Sequence, residues 1–185
     1  MITLGIDLGS NTVKTVLLAD GRRVLGGAVK KSSFDPQQVM DVCVRETLDA
    51  AGIEFGAIKK IVATGYGRVT CAIAHAEISE ITCHGKGAFF SMPTARTVID
   101  IGGQDSKVIS LSDNGRVIDF VMNDKCAAGT GRFLEVMAGA LGAPLDQFGE
   151  ISLRAANAVD ISNTCTVFAE SEVISLLARR EPKEN

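Results

Sequence analysis

The chain has 185 residues, of which 46% are hydrophobic and 22% are charged, and its formal net charge is -3 at pH 7. This composition predicts a folded globular protein and argues against a basic surface that binds nucleic acid. Every apolar run is shorter than the roughly 20 residues that span a bilayer, so we expect no membrane segment. The acidic Asp7 lies within the first seven residues, which argues against a secretory leader, and we therefore expect a cytoplasmic protein.

The first half of the sequence predicts three strands followed by alternating helices and strands. Turn signals at Gly9 and at Asp20-Gly21 separate the strands, and Asp35-Pro36 marks a helix start. In chain order the predicted elements are a strand ending near residue 6, strands at 12–18 and 23–29, a helix at 36–51, a strand at 59–63, a short helix at 69–75 and a strand at 78–83.

The second half repeats the beginning of the first half. Residues 6–25 align with residues 99–118 without a gap, and eight of the twenty pairs are identical, among them Lys14 with Lys107. The repeat predicts a structural duplication. The predicted elements that follow are strands near 99, at 106–111 and at 116–122, helices at 133–141, 145–156 and 167–180, and a helix-cap region at 162–166 before the last of them.

The turn that follows the first strand of each copy has the residue types of a phosphate site. Glycines let backbone N–H groups approach phosphate oxygens, and hydroxyl, amide and ammonium groups add donors. The candidate binding residues are Gly9, Ser10, Asn11, Thr12, Lys14, Gly102, Gly103 and Asp105. Asp7 and Asp100 are candidates for holding Mg²⁺ through water, and Gln104 with Asp105 for orienting an attacking water. The alternative is that both segments are only tight turns. The sequence has no P-loop motif.

The five cysteines divide into two groups by their surroundings. Cys43, Cys71 and Cys83 lie in apolar patterns and are interpreted as structural. Cys126 and Cys165 precede predicted helices, where thiolates are favoured, and two interpretations stay open: metal ligands or loop cysteines without a function. Two ligands cannot hold a four-thiolate cluster, so a cluster would require a symmetric homodimer.

Other motifs carry weaker signals. Gly129-Thr130-Gly131 precedes a helix but lacks the third glycine of a dinucleotide fingerprint, so we expect no nicotinamide site. The segment 64–68 is interpreted as a turn rather than a site loop. His75 and His84 have no metal-binding spacing and are interpreted as structural.

Together the motifs resemble the activators of 2-hydroxyacyl-CoA dehydratases and benzoyl-CoA reductases. The resemblance covers the whole chain, and the most specific stretch runs from Lys125 to Gly131. The segments that carry the resemblance are 6–14, 64–68, 81–88, 100–107, 123–135 and 165–175.

The resemblance implies an α/β fold of the actin, heat-shock chaperone and sugar kinase superfamily. It would consist of ribonuclease-H-like halves with mixed sheets at 1–95 and 96–185, the second half incomplete. It implies ATP or ADP with Mg²⁺ as ligands, and we add Gly129, Thr130 and Gly131 to the nucleotide-binding residues. It further implies that Cys126 and Cys165 hold one 4Fe-4S cluster per homodimer. A reduced flavodoxin or ferredoxin would load the cluster, and the electron would pass to a dehydratase or reductase.

One departure from the family's pattern is expected to matter. Family members continue with a Gly-Gly segment that helps to bind adenosine, and no segment of this sequence matches it. We therefore expect weak ATP binding by the 185 residues. Two alternatives to the activator remain: a small-molecule kinase of the same superfamily, and a nucleotide-free fragment that serves only as a dimeric electron carrier or an interaction module.

Overall fold

The computed structural model describes residues 1–162 and 165–185 and divides into two compact units. The first unit consists of Met1–Val98 and Ile109–Phe120, and the second of Ile99–Val108 and Val121–Asn185. The predicted cap region at 162–166 includes residues 163 and 164, which lie outside the described residues.

Eight strands in the described residues form two sheets. They are β1 (Ile2–Leu8), β2 (Thr12–Ala19), β3 (Arg23–Lys31), β4 (Ile58–Thr64), β5 (Ala76–Glu77), β6 (Thr97–Ile101), β7 (Ser106–Leu111) and β8 (Val117–Asn123). One sheet has the strand order β3-β2-β1-β4-β5 and the other β6-β7-β8. β1 pairs antiparallel with β2 and parallel with β4, so the predicted α/β class with a mixed sheet is confirmed.

The core of the first unit lies between its sheet and helix α1 (Pro36–Ala51). On β2 every second side chain is buried, which places Val13 and Leu17 on the face that α1 covers. The Asp35 side chain caps α1 by accepting from the Gln38 N–H, and a left-handed glycine ends the helix. The helix predicted at 36–51 is therefore confirmed at both ends.

The strand predicted at 78–83 is wrong, because this segment begins helix α2 (Glu80–Ser91). The β-branched Ile81 and Thr82 suggested a strand, but the Ser79 hydroxyl accepts from the Thr82 N–H and caps a helix instead. A side chain at buried Gly85 would lie 3.0 Å from the Leu111 Cδ2 of β7, so glycine permits this packing. The short helix predicted at 69–75 is also wrong: the structure has a single 3₁₀ turn at Arg68–Thr70, followed by β5.

The helices of the second unit are α3 (Gly131–Leu141), α4 (Phe148–Ser152) and α5 (Thr166–Ala178). α3 and α5 pack together through Met137, Ala169 and Val173. The predictions at 133–141 and 167–180 are confirmed, whereas α4 is much shorter than the predicted 145–156. None of the helices in the described residues has the length and apolar character that a membrane crossing needs.

Candidate functional site

The first turn joins β1 to β2 and carries an ion pair at its base. Asp7 and Lys14 are register partners on the two strands, and the Lys14 Nζ lies 2.8 Å from the Asp7 Oδ2. A Cβ at Gly9 would lie 2.8 Å from the Thr12 carbonyl oxygen, so the tight turn requires glycine there. The predicted site residues 7–14 therefore lie together at one end of the first unit's sheet.

Gly65 lies against Asp7, which the sequence interpretation missed. β4 runs parallel to β1 with Thr64 in register with Asp7, so the loop after β4 begins at the same sheet edge as the first turn. A Cβ at Gly65 would lie 2.7 Å from the Leu8 carbonyl oxygen and closer still to the Asp7 Oδ1. The Thr64 Oγ1 is buried and has no hydrogen-bond partner in the described residues. The segment 64–68 thus forms a wall of the first turn.

Replacing Gly65 with alanine is expected to lower the free energy of unfolding by about 2 kcal/mol or more. The backbone φ of Gly65 is +83°, which penalises any side chain, and the added methyl group would overlap the β1 backbone. Urea unfolding followed by circular dichroism measures the loss. Gly56→Ala is the matched control because nothing lies within 4 Å of its new Cβ, and its effect should stay within about 0.5 kcal/mol. Equal effects of the two substitutions would contradict the close contact.

The second turn, between β6 and β7, contains a buried cluster of charges. The Lys107 Nζ lies 2.7 Å from the Asp105 Oδ1 and 3.6 Å from the Asp100 Oδ2. Lys107 is 3% exposed and Asp105 is 5% exposed. The Gly102 N–H donates to the Asp105 carbonyl oxygen over 2.8 Å and closes the turn. Gln104 lies exposed at its tip.

Lys107 was absent from the predicted site residues. A lysine is normally expected at the surface, yet this one is buried between two carboxylates. The signal that could have found it was its alignment with Lys14, since each lysine contacts the aspartate at the second-last position of the preceding strand. Within each unit, the structure therefore brings a lysine, an aspartate and a glycine turn together.

The N-terminus of α3 is joined to the second turn through the backbone. The Gly131 N–H donates to the Gly102 carbonyl oxygen over 2.8 Å, and the Arg132 N–H donates to the Gly103 carbonyl oxygen over 2.9 Å. Thr130, which is fully buried, caps the helix by accepting from the Phe133 N–H. The predicted residues 102–105 and 130–131 thus lie together in the second unit.

Cys126 and Cys165 differ from the other cysteines in their surroundings. The Cys126 Sγ accepts from the Ala128 N–H over 3.4 Å, and Cys165 is the residue that precedes α5. Both are half-buried. Burial instead raises the pKa of the Cys43 and Cys71 thiols, which fits their structural interpretation. All five cysteines lie in the described residues, and none forms a disulfide.

The described residues contain no group of three or more side chains positioned to hold a metal ion. The His75 Nδ1 accepts from the Ile61 N–H over 2.9 Å, which is a structural contact. The structural interpretation of His75 is therefore confirmed.

A mixed sheet and glycine turns after strands, each turn with a lysine paired to an aspartate, are features of a nucleotide-binding α/β protein. The chain belongs to the BadF/BadG/BcrA/BcrD ATPase family, whose sequence pattern matches residues 4–185. The resemblance drawn from the sequence motifs is thereby confirmed.

Characterised relatives cover the whole chain or nearly all of it. The chain is 50% identical over 188 residues to the activator of lactoyl-CoA dehydratase of Anaerotignum propionicum, covering 100% of this chain and 71% of that protein. It is 45% identical over 185 residues to the (R)-2-hydroxyglutaryl-CoA dehydratase activating ATPase of Acidaminococcus fermentans, covering 98% and 69%. The solved activator of the 2-hydroxyisocaproyl-CoA dehydratase from Clostridium difficile with bound ADPNP has a TM-score of 0.91 and 43% identity, covering 100% and 69%.

Proposed function

We propose that this chain is an ATP-hydrolysing activator that delivers a low-potential electron to a 2-hydroxyacyl-CoA dehydratase or a related CoA-ester reductase. The proposal rests on family membership together with one structural observation: the second glycine turn is hydrogen-bonded to the helix that follows Cys126. That arrangement joins a candidate phosphate site to a candidate redox ligand within one unit.

In the proposed nucleotide site, each turn binds phosphate oxygens. Gly9, Ser10, Asn11, Thr12 and Lys14 act in the first turn. Gly102, Gly103 and Asp105 act in the second, with Gly129, Thr130 and Gly131 behind them. We assign Mg²⁺ to Asp7 and Asp100, through water, because carboxylates at strand ends suit a cation that dehydrates reluctantly. Gln104 orients the attacking water, and its exposure at the tip of the turn leaves its amide accessible.

The two turns also support an internal duplication, with proposed halves at 1–95 and 96–185. Asp7 with Lys14 and Asp100 with Lys107 are equivalent pairs in the aligned sequences, and both pairs are in contact. Shared geometry at aligned positions is what a duplicated ribonuclease-H-like unit would give.

The residues around the two candidate cysteines fit an iron–sulfur cluster. Thiolates are the usual cluster ligands, and backbone N–H groups stabilise them, as the Ala128 N–H does at the Cys126 Sγ. Cys126 and Cys165 give two thiolates per chain, so a four-thiolate set requires a homodimer. Such a cluster supplies one-electron chemistry when bound. The chain's own part is to hold the thiolates beside the ends of α3 and α5, with a reduced flavodoxin or ferredoxin as the proposed donor.

Anaerobic reconstitution with iron and sulfide tests the cluster. The unmodified chain should become brown and show a broad absorption band in the visible region. Cys126→Ser and Cys165→Ser should each abolish that band. Cys83→Ser is the control, because Cys83 is a half-buried cysteine of α2 and should leave the colour unchanged. A chain that stays colourless after reconstitution would contradict the cluster and favour a small-molecule kinase of the same fold.

A further inference from the structure

We infer that the Thr130 hydroxyl is the positioning group that couples nucleotide binding at the second turn to the geometry of the Cys126 thiol. The inference rests on the proposed function, because it takes the second turn as the place where nucleotide phosphate binds. It goes further by identifying the atoms through which the occupied turn acts on the cysteine. All of them lie in the second unit.

The first step is the connection between the turn and helix α3. The leading N–H groups of a helix have no partner inside the helix, and they are usually satisfied by caps or water. Here the Gly131 and Arg132 N–H groups donate to the Gly102 and Gly103 carbonyl oxygens. A Cβ at Gly131 would lie 3.3 Å from the Gly102 oxygen, so the approach is close. A displacement of the turn therefore either moves the start of α3 or breaks these two hydrogen bonds.

The second step passes through Thr130. Its side chain is fully buried, accepts from the Phe133 N–H in α3 and donates to the Ala127 carbonyl oxygen. The Thr130 N–H donates to the same oxygen over 3.0 Å. One hydroxyl thus connects the first turn of the helix to the residue that follows Cys126. Gly129, with a φ of +78°, permits the chain reversal between them.

The third step is at the thiol. The Ala128 N–H donates to the Cys126 Sγ over 3.4 Å, and the Asn123 side-chain amide donates to the Cys126 carbonyl oxygen over 3.0 Å. The loop 126–130 is consequently closed at both ends by short-range hydrogen bonds. A closed loop of this size transmits a shift at Thr130 to the position and hydrogen bonding of the Cys126 sulfur.

Alkylation of Cys126 in the cluster-free protein tests the coupling without any electron-transfer assay. Iodoacetamide is added with and without saturating MgADP, and the Cys126 peptide is quantified by mass spectrometry. Calorimetry of each variant determines the MgADP concentration that saturates it. A change in MgADP affinity therefore does not alter the ratio of the Cys126 alkylation rates with and without MgADP. In the unmodified chain, MgADP should change the Cys126 alkylation rate by about fivefold or more, as typical coupling between two sites does.

Variants at Thr130 separate the hydroxyl from the shape of the side chain. Thr130→Val keeps the shape of the side chain, and in this variant MgADP should change the Cys126 alkylation rate by less than about twofold. Thr130→Ser keeps the hydroxyl and should preserve most of the effect. Thr166→Val is the matched control, because this buried hydroxyl at the start of α5 has no partner in the described residues. A Thr130→Val protein with the full response would overturn the inference.

Hydrogen exchange in the unmodified chain adds a test that does not depend on the folding of a variant. MgADP should change the exchange rates of the Gly131 and Arg132 amides, because both hydrogen bonds end on the nucleotide turn. Unchanged exchange at both amides, with nucleotide bound, would overturn the coupling and leave the proposed ATPase intact. Failure of the unmodified chain to bind MgADP would instead contradict the proposed function itself.

Discussion

Lys107→Met is expected to lower the free energy of unfolding by about 3–5 kcal/mol, because it leaves two carboxylates without their shared ammonium group. The Lys107 Nζ lies 2.7 Å from the Asp105 Oδ1, and both residues are almost completely buried. Removing one partner of a buried ion pair forces the other to stay charged in a poor solvent or to be neutralised. Urea unfolding followed by circular dichroism measures the change.

Lys14→Met is the matched control, since Lys14 occupies the aligned position in the first copy. Its Nζ contacts the Asp7 Oδ2 at nearly the same distance, but the Lys14 side chain is 46% exposed. Water screens an exposed pair, so this substitution should cost within about 1 kcal/mol. If both substitutions reduced stability by the same amount, burial would not distinguish the two turns.

Asp7→Asn and Asp100→Asn are each expected to lower the rate of ATP hydrolysis at saturating MgATP by about a hundredfold or more. An amide has no formal charge with which to hold Mg²⁺, and the metal neutralises the charge that develops on the transferred phosphoryl group. Each substitution also removes the anion that faces the lysine of its turn. Phosphate release, measured against the unmodified chain, gives the ratio of rates.

Asp113→Asn serves as the control for these two substitutions. Asp113 lies in the hairpin turn between β7 and β8, in the first unit. Its side chain is 97% exposed, and it pairs with Arg96 at the surface. Its replacement should leave the rate within about twofold of the unmodified chain. Hydrolysis that persists in Asp7→Asn and Asp100→Asn would show that neither aspartate holds the metal.

The elements with local patterns were predictable from the sequence. The strand at 12–18 and the helix start at Asp35-Pro36 depend on neighbours within a few residues, and both predictions were correct. Helix α2 was missed although its Ser79 cap is local, and the packing of Gly85 against Leu111 that accompanies it joins distant parts of the chain. The β-branched residues at its start suggested a strand, and tertiary packing with a serine cap favoured the helix.

The candidate site likewise has features that the sequence predicts and features that depend on contacts between distant residues. The glycine turns and their aspartates follow directly from the repeat, whereas the contact of Gly65 with Asp7 depends on the parallel register of β1 and β4. The burial of Lys107 was hidden because its charge suggests an exposed residue. The positions of Cys126 and Cys165 before helices were predictable, because the helix signals lie within a few residues of each cysteine.

Anaerobic native mass spectrometry of the reconstituted protein with MgADP tests the proposed activator most directly. It measures the mass of the intact complex and so counts its chains, iron atoms and nucleotides together. The proposed activator predicts a dimer that carries one 4Fe-4S cluster and a nucleotide on each chain. A single chain that binds nucleotide without iron would contradict the shared cluster, and with it the proposed delivery of electrons.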